Sequence, residues 1–393
     1  MPDRSTSFFR AARAGVSFVA LAALVSSSLG AAGATLSGCS SQAYLAVMPG
    51  VLNDPSNRTL RRELLGFGTD SLCKEMMKRS IPLKLREDDP TIGRFYPRQC
   101  NIQTLDNGDL YIQFSGAGFA WSNLTKRIGF NASAAIQYEQ DFRLDGSTMY
   151  VYFRPSSTTQ KKFEVVMTEA GNLQANPLGG LIPGGSAQGF ANQVGEGLLA
   201  HEIGRGFTVV RDSDGSVEFS IGLLEPGQRP DSPYKRNDRD RLVYVNERIE
   251  LHSGQRDYVG PIEVPDKGMA LYLTMQLEGA PNVDLMVFHR SVGDGWLQGY
   301  LTTPVASAPP GPGLLDETVT SSSGAPMTPQ GGFPTTVPSQ GPAIFRRMIR
   351  VPKGAYYVVL DNTATAGKSA PPTTALDDRA ALVSLAVELG DAP

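Results

Sequence analysis

The residue types of a metal hydrolase occur once in the chain, in His201-Glu202-Ile203-Gly204-Arg205. H-E-x-x-H zinc enzymes need two imidazoles one helical turn apart to grip the metal while the glutamate activates water. Arg205 stands where the second imidazole belongs, and the other two histidines, His252 and His289, are distant in sequence. The string is therefore expected to be a polar helix end. Asp212, Asp214 and Glu218 offer oxygen ligands to calcium, but their spacing departs from an EF-hand loop, and an acidic β-turn is expected instead. The glycine-rich run Leu178 to Gly185 lacks the Gly-Lys-Ser/Thr ending of a phosphate loop. None of Cys39, Cys73 and Cys100 forms the C-x-x-C spacing of a redox pair. Scattered Asp and Glu leave room for an envelope hydrolase only if the fold brings two carboxylates to within about 5 to 10 Å. The expectation is a non-enzyme with no catalytic residue, cofactor or metal.

The elements that must position these residues are mostly strands. With 42 Gly and 28 Pro in 393 residues, the chain is rich in turns, and 41% hydrophobic residues suffice for packed cores. After a helix at Arg58 to Leu65, Asp70 or Ser71 caps a second helix through Cys73, Met76 and Met77, which Pro82 stops. Asn107-Gly108 is a hairpin turn, beyond which Leu110, Ile112 and Phe114 alternate. Strands follow at 128–132, 135–144, 149–153 and 163–168. Phe190, Val194, Leu198, Leu199 and Ile203 then form the apolar stripe of a helix ended by Gly204 and Gly206, and a hairpin at 207–221 closes the region. Pro226 to Arg241, with three prolines and a mixed-charge cluster, reads as a linker. About eight short strands between Leu242 and Gly390 argue for a β-sandwich, interrupted by nine prolines in Pro304 to Pro342, read as a disordered loop. The fold class expected is mainly β with a few helices: an α+β domain over 58–225, a linker over 226–241 and a β-sandwich over 242–390.

The N-terminal residues carry an address. Arg4, Arg10 and Arg13 precede an apolar run from Ala14 to Val25, too short to span a bilayer, and small residues lead to Leu36-Ser37-Gly38-Cys39. This order resembles the signal peptides of bacterial lipoproteins, over residues 1–40 only. The resemblance implies cleavage before Cys39, lipidation of that cysteine as the membrane anchor, and a tether over 39–57. Ser40 is not the aspartate that retains many such proteins at the inner membrane, so the outer membrane is the expected site. Ala32-Gly33-Ala34 keeps open a cut that would release a soluble exported chain. Lipidation of Cys39 accounts for the odd cysteine and leaves Cys73 and Cys100 to pair, closing a loop worth roughly 3 to 4 kcal/mol.

Net charge is −3, and removing residues 1–38 takes away three Arg and one Asp, so the mature chain is slightly more acidic. Nucleic acid is excluded as an expected partner. The succession of strands, long helix and closing hairpin resembles tubular lipid-binding domains of the envelope, which implies carriage of a hydrophobic ligand. Val351 to Gly354 feeding Tyr356 to Asn362 resembles jelly-roll accessory domains, which implies binding or stabilisation. The leading expectation is an envelope lipoprotein that serves as a non-enzymatic scaffold or binding component. Carriage of lipid or another hydrophobe by the first domain is the alternative.

Overall fold

A computed structural model describes residues 53–54, 56, 65, 72–122, 125–169, 187–213, 217–229, 241–321, 344–367, 369 and 380–393. The signal segment with Cys39, the helix expected at 58–65 apart from Leu65, the run Leu178 to Gly185 and most of the linker lie outside these residues.

The chain is mainly β with a few helices. A short helix, α1 (72–77), leads into β1 (Ile81–Leu83), β2 (Gly93–Thr104), β3 (Leu110–Ser122), β4 (Lys126–Asp145) and β5 (Thr148–Thr168). Then come α2 (Ala187–Gly204), β6 (Phe207–Arg211) and β7 (Val217–Ile221). All seven strands form one antiparallel sheet in sequence order. The hairpin between β2 and β3 turns at Gly108 with φ 90, a conformation that favours glycine.

Two pairs of expected strands are each one long strand. In β5, shifts of register leave Ser156, Thr159 and Val166 without partners on β4. Such bulges break hydrophobic alternation while keeping the ladder, and they increase twist. The resulting curvature lets the sheet cradle α2, whose Leu198, Leu199 and Ile203 are buried in one core with Phe95, Phe114 and Phe130. Gly195 of α2 has no room for a Cβ against the Phe163 ring.

The second region is a sandwich. Its strands are β8 (Leu242–Leu251), β9 (Gln255–Val264), β10 (Met269–Glu278), β11 (Asn282–His289), β12 (Leu315–Thr320), β13 (Ile344–Arg350), β14 (Gly354–Asn362) and β15 (Ala381–Asp391). One sheet runs β13-β10-β15-β8 and the other β12-β11-β14-β9, with an aliphatic core between them. Two elements differ from the sequence expectation. The first is a helix, α3 (Arg290–Thr302), following β11. Its three glycines weaken the helical signal, and it is held by tertiary burial of Trp296, Leu297, Tyr300 and Leu301. The second is β12, inside the segment read from its prolines as disordered. Leu315–Thr320 pairs antiparallel with β11, so residues up to 321 are ordered.

Candidate functional site

Of the flagged string, Glu202 and Arg205 are tied up structurally. Glu202 is fully buried; it accepts a hydrogen bond from the Lys84 backbone N–H at 3.2 Å and one from Arg205 at 3.0 Å. Burial pushes its carboxyl up from the usual range, against the pull of Arg205. Arg205 thus binds the glutamate where the zinc motif would need a ligand. Asp212 and Glu218 are both held by Arg229, at 2.6 and 3.0 Å, and Asp214 lies outside the described residues. Among the described residues no group of three His, Cys, Asp or Glu is placed to hold a metal. Cys73 of α1 and Cys100 of β2 form a disulfide, Cα to Cα 5.6 Å, tying the helix to the sheet.

Side chains that alternate along a strand point to opposite faces. The face of the curved sheet turned away from α2 has two halves. In the first, Tyr96, Ala117 and Phe119 join Tyr258, Phe288, Trp296, Tyr300 and Tyr357 of the sandwich in a third core. The Tyr96 hydroxyl donates to the Tyr258 carbonyl at 2.7 Å, and Trp121 stacks on His252 with ring centroids 3.3 Å apart. Gly129 lies against the Leu301 carbonyl, where a Cβ would clash. A bridge at Thr91 and Ile249 adds two backbone hydrogen bonds, of 2.7 and 2.9 Å.

Three fully buried arginines lie at this junction. Arg94 of β2 donates to both oxygens of Asp257, at 2.7 and 2.6 Å, and to both of Glu247, at 3.2 and 2.8 Å. Burial alone would lower its pKa; the two carboxylates outweigh that and keep it charged. Arg127 of β4 donates to the carbonyls of Tyr300, Thr303 and Pro304, which satisfies the C-terminal end of α3. Arg256 of β9 pairs with Asp361, donates to the Thr363 and Thr365 hydroxyls at 3.0 and 2.7 Å, and lies over the Trp296 ring at 4.6 Å. Nothing in the spacing of these arginines marked them beforehand; only the fold supplies the partners of each.

The other half of the face is open. A trough of about 900 Å3 runs along it, lined by Gln99, Asn101, Gln113, Ser115, Ser133 and Lys162 among others. Strand register aligns Gln99, Ser115, Ser133 and Lys162 in one row, with Asn101, Gln113 and Ala135 in the next. Gln103, Tyr111 and Gln137 make a third. No charged residue occupies these positions on β2, β3 and β4. Arg98, at the bulge in β2, bonds to Gln298 of α3 and forms the wall on the sandwich side. The signal for this surface was in the chain: Gln99, Asn101 and Gln103, then Gln113 and Ser115, fill the alternate positions between the apolar ones.

On the inner face, the crevice beside α2 measures about 90 Å3 and is bordered by Ile136, Phe163, Leu199 and Ile203. Pockets for small-molecule ligands usually span roughly 300 to 1,000 Å3. Compared with models of known protein families and with curated proteins, the chain matches none.

Proposed function

We propose that the protein is an exported lipoprotein, anchored through Cys39 with the outer membrane as its expected site, and that it acts as a non-enzymatic scaffold or binding component. The disulfide carries this reading: pairing Cys73 with Cys100 suits an oxidising compartment and leaves Cys39 over, at the end of Leu36-Ser37-Gly38-Cys39. A rigid body supports the scaffold role, since the sheet and the sandwich share a core and are joined by the two buried arginines Arg94 and Arg127. The open polar trough is the surface on which it would bind. Carriage of a hydrophobe has less support, because side chains fill most of the inner face.

Mass analysis of the mature N-terminus tests the anchor. An acylated chain beginning at Cys39, converted by Cys39→Ala to a form that no longer fractionates with membranes, is the expected result. A mature chain beginning at Thr35 without acyl groups would overturn it.

A further inference from the structure

We infer that the open half of the outer face binds a neutral glycan chain. This deepens the binding role proposed above and rests on it only for where such a chain would be met.

The floor of the trough is made of side chains that both donate and accept hydrogen bonds. The amides of Asn101 and Gln113 are exposed, and those of Gln99 and Gln103 stand in the same rows. Ser115 and Ser133 add hydroxyls between them. A sugar hydroxyl also donates and accepts, so successive hydroxyls along a glycan match amides and hydroxyls that stand one strand apart within a row, about 4.8 Å.

Other classes of ligand fit less well. Lys161 and Lys162 both border the trough, with Arg98 on its wall, but Glu196 and Glu164 each sit 3.9 Å from one of the two lysines, so an anionic polymer or lipid headgroup meets little net positive charge. An apolar ligand would strip water from the amides and return no hydrogen bonds. The site is also preorganised: its strands are paired on both sides through β3 and β4, and the adjoining half of the same face is locked to the sandwich. Little ordering therefore has to accompany binding.

The test is calorimetric titration of the full mature chain with two neutral probes, an N-acetylglucosamine hexamer and a glucose hexamer, beside heparin as the anionic control. The double variant Asn101→Ala, Gln113→Ala is titrated in parallel, and its thermal unfolding is recorded. Binding of at least one neutral hexamer is expected, weakened about 10- to 30-fold in the double variant by the loss of one or two neutral hydrogen bonds, with the unfolding midpoint unchanged. The preferred hexamer separates an amino-sugar wall polymer from a glucan. No binding of either hexamer at millimolar concentration, stronger binding of heparin, or neutral binding that the double variant leaves intact would each overturn the inference. Glycan failure with an acylated Cys39 would leave the anchor standing, and the converse result would leave the glycan site standing.

Discussion

The two halves of the sheet's outer face come from the same strands and carry opposite chemistry. Toward the start of β2 and the end of β3, the outward positions are Arg94, Tyr96, Phe119 and Trp121, all buried under the sandwich. A few residues further along the same strands they are Gln99, Asn101, Gln113 and Ser115, open to solvent or half-buried. Full-charge arginines are used where water is excluded and each can reach fixed acceptors; uncharged amides are used where water stays. Burying a charge is tolerable only with a partner of good geometry, whereas an exposed amide costs little unpaired. The strand dictates which face a residue occupies, and the neighbour across that face dictates which polar group is stable there.

The sharpest way to break this contrast is to remove a charge from the docked half. Arg94→Met leaves Asp257 and Glu247 without their cation, and a loss of about 3 to 5 kcal/mol is expected in denaturant unfolding. Replacing Cys100 with Ser, which unties α1 from the sheet beside the open half, should cost about 3 kcal/mol by the same measurement and match the effect of reducing the native protein. Gly129→Ala forces a methyl toward the Leu301 carbonyl, so the junction should loosen by about 1 to 3 kcal/mol, with faster hydrogen exchange in α3. Gln113→Ala, in the open half, should change stability by less than about 0.5 kcal/mol. An equal loss at Gln113 and Arg94 would erase the distinction between the halves.

A pH measurement sharpens it further. Burial raises the Glu169 carboxyl above its ordinary value of 4.5, with Arg127, 3.7 Å away, opposing the rise. A carboxyl whose folded pKa is raised holds its proton longer in the folded state than in the unfolded chain. Its contribution to stability is therefore lost as pH rises from about 4.5 through the raised value and is constant above it. Relative to Glu169→Gln, the native protein should lose stability across that interval and run parallel at higher pH. A difference that is flat from pH 4 upward would count against the raised pKa.

Much of the fold was legible because local signals and tertiary structure agreed. Asn107-Gly108 gave its hairpin, and the short strands between Leu242 and Gly390 gave the sandwich. The glycines that end α2 likewise marked its boundary, where Gly206 adopts φ 72. What was hidden depended on partners remote in sequence. Helix α3 is glycine-weakened and stands because Trp296 and Tyr300 find the sheet's outer face. β12 exists because β11 offers an unpaired edge to Leu315–Thr320, whatever the prolines around it. The pairing of Arg94 with Asp257 spans 163 residues, which no spacing rule reads. The trough was hidden differently: its polar residues lie between the apolar positions of the strands, and their lack of charge becomes visible only when register places them in rows.

The order of strands has a further consequence, in time. In the first sheet every strand neighbours the next in sequence, so each pairing needs only local chain to be present. The sandwich cannot close until β15 arrives to lie between β8 and β10, more than a hundred residues after β8. Local pairings form faster than distant ones. The curved sheet is thus expected to assemble while Arg94 and Arg127 are still hydrated, its outer aromatic half bare. Completion of the sandwich then buries both cations. For a chain delivered from its N-terminus, the junction would be the last part to form and its bare aromatic patch the interval of greatest exposure to aggregation.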